Sequence, residues 1–262
     1  MASFRIDLLE EFKNRRLHFA YAWPLKNWPK NGKMRVTPPF ADAQPWQCSV
    51  YYYWWEYLRR HDGYRRTCEN AGVGRYAKLY EDFGNVNEGE FWAWWRAHNW
   101  IFAEPPIRQV ELAGPEAVTD EKTMIIRVPL ETKLSLLTGQ FKRLVKPQME
   151  RAARAKWPSQ AKYPVATKPV LTALHEHLLV WDAKQQHPNL RDADLADIVG
   201  LRVNHVVDGE TVASRKSLNL STDAIEQKIY RRKQLAVQRH LRIAEQYIDN
   251  VGRGKFPLRD SR

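Results

Sequence analysis

The fold is decided by eleven residues, Val50-Tyr-Tyr-Tyr-Trp-Trp-Glu-Tyr-Leu-Arg-Arg60, six of which are aromatic. Ser49 precedes them at the position where an N-cap side chain accepts a hydrogen bond from the first turn of a helix. On a helix, Trp54 and Leu58 share one face. Gly63 follows, and glycine tolerates the left-handed conformation that ends many helices. The sequence therefore predicts an amphipathic aromatic helix over residues 49–62.

A second aromatic segment, Phe91-Trp-Ala-Trp-Trp-Arg-Ala-His-Asn-Trp100, follows after a short helix predicted near residues 77–82. Asn87 and Glu90 stand before it at the spacing of a capping box. Two such helices would bury each other, because each aromatic side chain removes roughly 150–250 Å² from water. Trp54, Trp94 and Trp95 are thus predicted to form a Trp-rich core. The alternative is a platform that stacks nucleobases or binds a peptide.

Between these features and the N-terminus, residues 20–48 are interrupted by prolines and cannot form a regular helix. The prediction is an extended arm that docks on the protein's own core or on a partner. Its anchors, and candidate partner-binding residues, are Trp23, Trp28 and Trp46. Disordered segments are poor in aromatics, which argues against a simple disordered tail.

The composition indicates a polyanionic partner. The chain has 262 residues, with 42 Lys and Arg against 30 Asp and Glu, a formal net charge of +12 and a pI near 9.7. This balance favours nucleic acid before a membrane surface. Cys48 and Cys68 are too few for a disulfide scaffold and fit a reducing compartment. No signal peptide and no apolar run of about 20 residues is visible, so the expectation is a soluble cytoplasmic protein.

The predicted fold class is mainly α with a small β component, in three parts. Residues 1–104 form a Trp-rich helical domain, residues 105–157 contribute short strands and a helix, and residues 158–262 form a basic helical domain. Strands are predicted at 110–112 and, from β-branched composition, at 124–130. From Glu131 the apolar residues recur at helical spacing, and Pro147 is expected to break or kink the helix.

The C-terminal part begins with a helix predicted over residues 170–186. The stretch Asp192-Ala-Asp-Leu-Ala-Asp-Ile-Val-Gly-Leu201 resembles the opening of a helix-turn-helix, in which a small Ala permits close crossing and Gly permits the turn. About twenty residues follow where a tight turn would be expected, and residues 206–212 resemble a hairpin around Asp208-Gly209. A helix-turn-helix-like domain and a plain helical bundle are both compatible with this pattern.

The final helix segregates its charges from its apolar residues. Ile225, Ile229, Val237 and Ile248 fall on one broad side. Five cations cluster opposite: Lys228, Arg231, Arg232, Arg239 and Arg242. No acid interrupts residues 227–244, and such a one-sign face is typical of phosphate contact, although a merely solvated face is the alternative. Arg215 and Lys216, upstream of this helix, complete the predicted nucleic-acid-binding set.

No catalytic constellation is predicted. On a helix, His175 and His177 would point about 200° apart, so they do not form a metal-binding pair. The spacing of His240-Leu-Arg242 before Tyr247 does not fit a tyrosine recombinase, and no glycine-rich phosphate loop is present. The sequence therefore predicts a protein that is not an enzyme and that binds no cofactor or metal.

Three segments carry a resemblance to a known group of proteins. They are Trp55-Glu-Tyr-Leu-Arg-Arg-His-Asp-Gly-Tyr-Arg65, Ile126-Arg-Val-Pro-Leu130 and the region from Ala244 to Pro257. The first resembles a motif of uncharacterised, transcriptional-regulator-like proteobacterial proteins of integrative elements, prophages and plasmids, with His61 in place of their Asn. The resemblance implies a DNA-binding regulator carried by a mobile genetic element and identifies no catalytic residue.

Two functions follow as hypotheses. The first is a non-enzymatic nucleic-acid-binding protein that contacts duplex DNA through its C-terminal helices. The second is an interaction subunit of a larger protein or ribonucleoprotein complex, in defence or element maintenance, that contacts RNA or single-stranded DNA. A lone regulator is expected to be a stable monomer or dimer, whereas an orphaned subunit exposes apolar surface and aggregates.

Overall fold

The aromatic stretch forms helix α1 (Val50–Arg59) in a computed structural model that describes residues 17–29, 37–105, 114, 123–154, 158–201, 203 and 222–259. The Ser49 hydroxyl accepts a hydrogen bond from the Tyr51 amide at 3.3 Å, which confirms the predicted cap. The predicted stop at Gly63 is wrong. His61 starts helix α2 (Asp62–Glu69), because its Nδ1 accepts a hydrogen bond from the Tyr64 amide at 3.0 Å. Gly63 consequently lies inside α2.

The described residues contain eight α-helices and one two-stranded sheet, so the mainly α prediction with a small β component is confirmed. Strands β1 (His18–Phe19) and β2 (Ala103–Glu104) pair antiparallel. Short 3₁₀ turns cover Pro45–Cys48 and Asn99–Phe102. The remaining helices are α3 (Ala77–Phe83), α4 (Phe91–His98), α5 (Leu134–Arg154), α6 (Leu171–Gln186), α7 (Asp192–Ile198) and α8 (Thr222–Gly252).

The main core surrounds α1. Trp54 is fully buried, and its ring lies 5.0 Å from Phe102 and 5.5 Å from Phe256, measured between ring centroids. Helices α6 and α8 pack against α1, and the Tyr57 hydroxyl donates to the Leu174 carbonyl of α6 at 2.9 Å. Trp94 and Trp95 of α4 are buried in the same cluster. The Trp-rich core is therefore confirmed, and it joins side chains from both ends of the chain.

One ion-pair network fastens α1 to α6. The Arg60 guanidinium donates to both carboxylate oxygens of Asp182, at 2.7 and 2.5 Å, and also contacts the Glu56 carboxylate. A bidentate arrangement of this kind fixes geometry as well as charge, because two parallel N–H donors meet two acceptor oxygens. Arg60 therefore sets how α6 lies along the aromatic helix.

The arm is partly attached to the protein's own core. The Ser49 hydroxyl donates to the Ala22 carbonyl at 2.8 Å, and Pro24 and Pro39 are buried. Trp46 is half-buried, with its ring 6.3 Å from that of Trp92. Residues 30–36 lie outside the described ranges, so the prediction of an arm is tested only in part.

Two local predictions are wrong. Residues 124–130 form no strand, since a run of β-branched residues needs a partner strand and the sheet described here consists of β1 and β2. Glu90 provides no side-chain cap for α4, so the predicted capping box with Asn87 does not form. Pro147 lies inside α5 without ending it. The predicted strand at 110–112 and the hairpin at 206–212 lie outside the described residues.

Helix α8 passes so close to His61 that position 252 has no room for a side chain. A Cβ on Gly252 would overlap the His61 imidazole, which also caps α2. We expect Gly252→Ala to lower the free energy of unfolding by about 1–3 kcal/mol, because overpacking a core forces displacement of its neighbours. Urea titration measures this change.

Gly139→Ala is the matched control. Gly139 lies inside α5, and a Cβ built on it meets no atom within 4 Å. Its replacement is expected to raise helix stability by up to about 1 kcal/mol, because alanine is the better helix former. Equal effects of the two substitutions would show that the contact between α8 and His61 does not constrain position 252.

Candidate nucleic-acid interface

Helix α8 has one buried and one exposed side. Its buried side chains include Val237, Ala244, Ile248 and Val251. They pack against α6, α7 and α1, with Val237 meeting Val180 and Leu195 in a smaller second cluster. The predicted apolar stripe is thus confirmed where its residues are described. Because this packing fixes the rotation of α8 about its axis, it also fixes which side chains face solvent.

The opposite side of α8 is an exposed row of cations. Lys228, Arg231, Arg239 and Arg242 are exposed, and Arg232 is half-buried. From position 228 to 242 the helix rises about 21 Å, which matches about six base pairs along a duplex axis. We call the five residues the α8 basic face. The other two predicted residues, Arg215 and Lys216, lie outside the described part of the chain.

The acidic helix α7 lies beside α8 but does not neutralise this face. Each of its three carboxylates pairs with a cation elsewhere. Asp192 contacts Lys184 at 3.1 Å, Asp194 contacts Arg191 at 2.8 Å, and Asp197 contacts Lys233 at 2.5 Å. Lys233 is not one of the five cations of the predicted face, and this ion pair gives it a structural partner. Between described residues, no ion pair links a carboxylate to Lys228, Arg231, Arg239 or Arg242.

One apolar side chain that the sequence reasoning did not include lies on the basic face. Leu235 is 55% exposed, and at about 100° per residue it falls between Arg231 and Arg239. Its position on the helical wheel would have revealed it. Tyr230 is 38% exposed but lies two turns before the buried Val237, on the side of α8 that packs against α7, and the Arg191 guanidinium lies 5.5 Å from its ring centroid.

A pair of histidines links α6 and α8 behind this face. The Nδ1 atoms of His177 and His240 lie 2.8 Å apart, so one ring donates a hydrogen bond and the other accepts it. Burial, together with smaller effects of the charges of His240, Arg259 and Arg239, lowers the pKa of His177 to about 3. Burial also lowers the pKa of His240. His175 instead stacks on Phe40, with ring centroids 4.0 Å apart, and the partnership of His177 with His240 has no local signal in the sequence.

Asp82 makes contacts between two separate segments of the fold. Its carboxylate is buried and accepts hydrogen bonds from Lys162 Nζ at 2.6 Å and from the Tyr163 hydroxyl at 2.8 Å. These bonds connect α3 to the segment that precedes α6. Across the described residues, no cluster of three or more His, Cys, Asp or Glu side chains could hold a metal ion. Helices long and apolar enough to cross a membrane are likewise not found in this part of the chain.

The three candidate partner-binding tryptophans differ in exposure. Trp23 is 38% exposed and Trp28 is 45% exposed, whereas Trp46 packs on the core beside Trp92. Among the described residues, the Trp23 ring contacts that of Phe19, with centroids 6.1 Å apart. Trp23 and Trp28 are therefore available to a partner, and Trp46 serves mainly to attach the arm.

No family model, curated protein or solved structure matches the chain. The described side chains are therefore the basis for assigning a function. They belong to a mainly α protein that presents a row of cations along helix α8.

Proposed function

We propose that this chain is a non-enzymatic nucleic-acid-binding protein whose α8 basic face contacts phosphates. The observation that carries the proposal is the row formed by Lys228, Arg231, Arg239 and Arg242, which is exposed and has no carboxylate partner among the described residues. A cation that meets a phosphate releases condensed counterions, so a row of cations binds polyanions with strong salt dependence. The net charge of +12 favours the same class of partner.

Duplex DNA is the favoured ligand within this proposal. A long helix with cations on one side can follow phosphates along a duplex, and the exposed Leu235 can contact sugars or base edges. The resemblance to regulators of mobile genetic elements supports the same choice. RNA and single-stranded DNA remain alternatives to be compared in the same assay.

The first test neutralises three cations of the face. We expect the variant Arg231→Gln, Arg239→Gln and Arg242→Gln to bind a labelled duplex more weakly than the unchanged protein. The slope of log K against log salt concentration should decrease by about one unit for each lost phosphate contact. Fluorescence anisotropy at several salt concentrations measures both quantities.

The control removes the same amount of charge elsewhere. Arg66, Lys78 and Arg96 are exposed residues of α2, α3 and α4. Replacing these three with Gln also lowers the formal net charge from +12 to +9. We expect this variant to keep nearly the full salt slope. If both triple variants lose the same affinity and slope, binding reflects net charge alone and the assignment to α8 is wrong.

The second candidate function, an interaction subunit of a larger complex, is favoured by the exposure of Trp23 and Trp28. Large aromatic side chains left in solvent are typical of protein interaction sites. Light scattering of the purified chain distinguishes the two candidates. A stable monomer or dimer supports the regulator, whereas progressive aggregation that the double change Trp23→Ser and Trp28→Ser abolishes supports the subunit.

A further inference from the structure

Helix α5 leaves an apolar side in solvent. Between Thr132 and Ala152, the described side chains are all exposed or half-buried, although leucines recur at helical spacing. Leu134, Phe141 and Leu144 lie within about 80° of one another around the helix axis. Phe141 is 45% exposed and Leu144 is 52% exposed. In a soluble chain, an apolar side of this extent marks an interaction surface.

The surface is concave rather than flat. Residues 126–129 run beside α5 without forming a strand, and a cavity of about 320 Å³ lies between the two. We call this cavity the α5 groove. Its apolar lining includes Ile126, Val128, Pro129, Leu137, Phe141 and Leu144. A volume of this size accommodates one or two large side chains, as pockets for anchor residues do.

The charges around the groove are mostly positive. Arg127 lines it directly. On the helical wheel, Lys133 and Arg151 lie beside the apolar side of α5, whereas Lys142, Arg143 and Lys146 point away from it. Glu131 is the carboxylate nearest in sequence to the lining residues. A second copy of the chain would place this positive surface against an identical one, which like-charge repulsion disfavours. Charge complementarity therefore favours an occupant that is acidic.

We propose that the α5 groove binds an acidic segment of a partner protein that inserts apolar side chains between residues 126–129 and α5. Nucleic acid matches the charge but supplies no apolar side chains to fill the cavity. An anionic membrane also matches the charge, but a bilayer surface fits a flat apolar face better than a groove bounded on two sides. A peptide satisfies both requirements, because its apolar residues enter the groove while its carboxylates meet the surrounding cations.

The experiment uses the full chain and three labelled synthetic helical peptides of about 18 residues. The first has Leu at positions i, i+3 and i+7 and Glu on its polar side. The second replaces each Glu with Lys, and the third replaces each Leu with Ser. We expect the first peptide to bind at least about tenfold more tightly than either of the others, since both the charge and the apolar anchors contribute. Equal binding of all three would overturn the proposal.

Variants of α5 locate the binding site. Phe141→Ser and Leu144→Ser should each weaken binding of the first peptide by at least about tenfold, because each removes a lining side chain. Leu136→Ser is the matched control. Leu136 is on the same helix and is 59% exposed, but it does not line the groove. Since all three residues are exposed, circular dichroism should show the same melting temperature for all variants.

Other occupants give distinct results. Dimerisation of the unchanged chain that Phe141→Ser abolishes would assign the groove to a second copy instead. Binding to phosphatidylserine vesicles that Phe141→Ser abolishes would assign it to a membrane. Loss of duplex binding in the same variant would assign it to nucleic acid. Each of these outcomes overturns the proposal, and none depends on the α8 basic face, whose salt dependence should be unchanged in Phe141→Ser.

Discussion

Replacing Trp54 with alanine is expected to lower the free energy of unfolding by about 3–5 kcal/mol. The side chain is fully buried, and its ring packs between Phe83 at 6.1 Å, Phe102 at 5.0 Å and Phe256 at 5.5 Å. Phe256 follows the last helix, so one tryptophan holds α1, α3 and the C-terminal segment together. The surrounding rings cannot all move inward, and the substitution would leave a cavity.

Urea titration at neutral pH measures this loss, with Trp28→Ala as the control. Trp28 is nearly half exposed, and its replacement should change stability by no more than about 0.5 kcal/mol. The comparison separates burial from residue type, because both substitutions remove the same side chain. A Trp54→Ala protein that is as stable as Trp28→Ala would contradict the role of Trp54 as the centre of the core.

The sequence was sufficient for features that depend on local spacing. The burial of Trp54 and the exposure of Arg239 both follow from a period of 3.6 residues and from the separation of apolar and charged side chains. The N-cap at Ser49 is likewise a short-range interaction. These predictions are confirmed because the tertiary packing agrees with the local preference at each position.

Where a competing interaction decides the conformation, local reasoning failed. Gly63 was expected to end a helix, but the His61 side chain caps a new one and the glycine is needed there for space, since a Cβ would overlap Tyr76. Residues 124–130 have strand composition, but a strand is stable only when it is paired. The contacts of Asp197 with Lys233, and of His177 with His240, join residues far apart in the chain. Only the tertiary fold brings such residues together.

Acid is expected to destabilise this protein through its buried histidines, well before most carboxylates are protonated. In the unfolded chain, an imidazole has a pKa of about 6.5. Burial lowers the folded-state pKa of His61, His175, His177 and His240, in the case of His177 to about 3. The unfolded state therefore binds more protons below pH 6.5. The part of the free energy of unfolding that depends on these neutral histidines is fully present above pH 6.5. It is lost progressively as the pH falls towards 3, by about 1.4 kcal/mol per pH unit for each proton.

Burial is the main reason why His177 resists protonation, and the geometry of the pair between α6 and α8 adds to it. Its Nδ1 faces the Nδ1 of His240, so protonating both rings would break their hydrogen bond and place two charges 2.8 Å apart. Arg239 and Arg259 also lower the pKa of His177. For His240, Glu176 acts in the opposite direction and favours the charged ring, but burial is the larger effect. Protonation of both rings is therefore expected to weaken the packing of α6 against α8.

The double variant His177→Asn and His240→Asn tests this interpretation, since an amide can keep a hydrogen bond at the Nδ1 position but does not titrate. Urea titrations at pH 7.5, 6.5, 5.5 and 4.5 should show that the unchanged protein loses about 1.4–2.7 kcal/mol more per pH unit than the variant below pH 6.5. The variant itself should be less stable at pH 7.5, because the amides fill the site less well than imidazole rings. His187→Asn, at an exposed position, should follow the unchanged protein at every pH. Parallel pH curves for the unchanged protein and the double variant would mean that the histidine pair plays no part in acid unfolding.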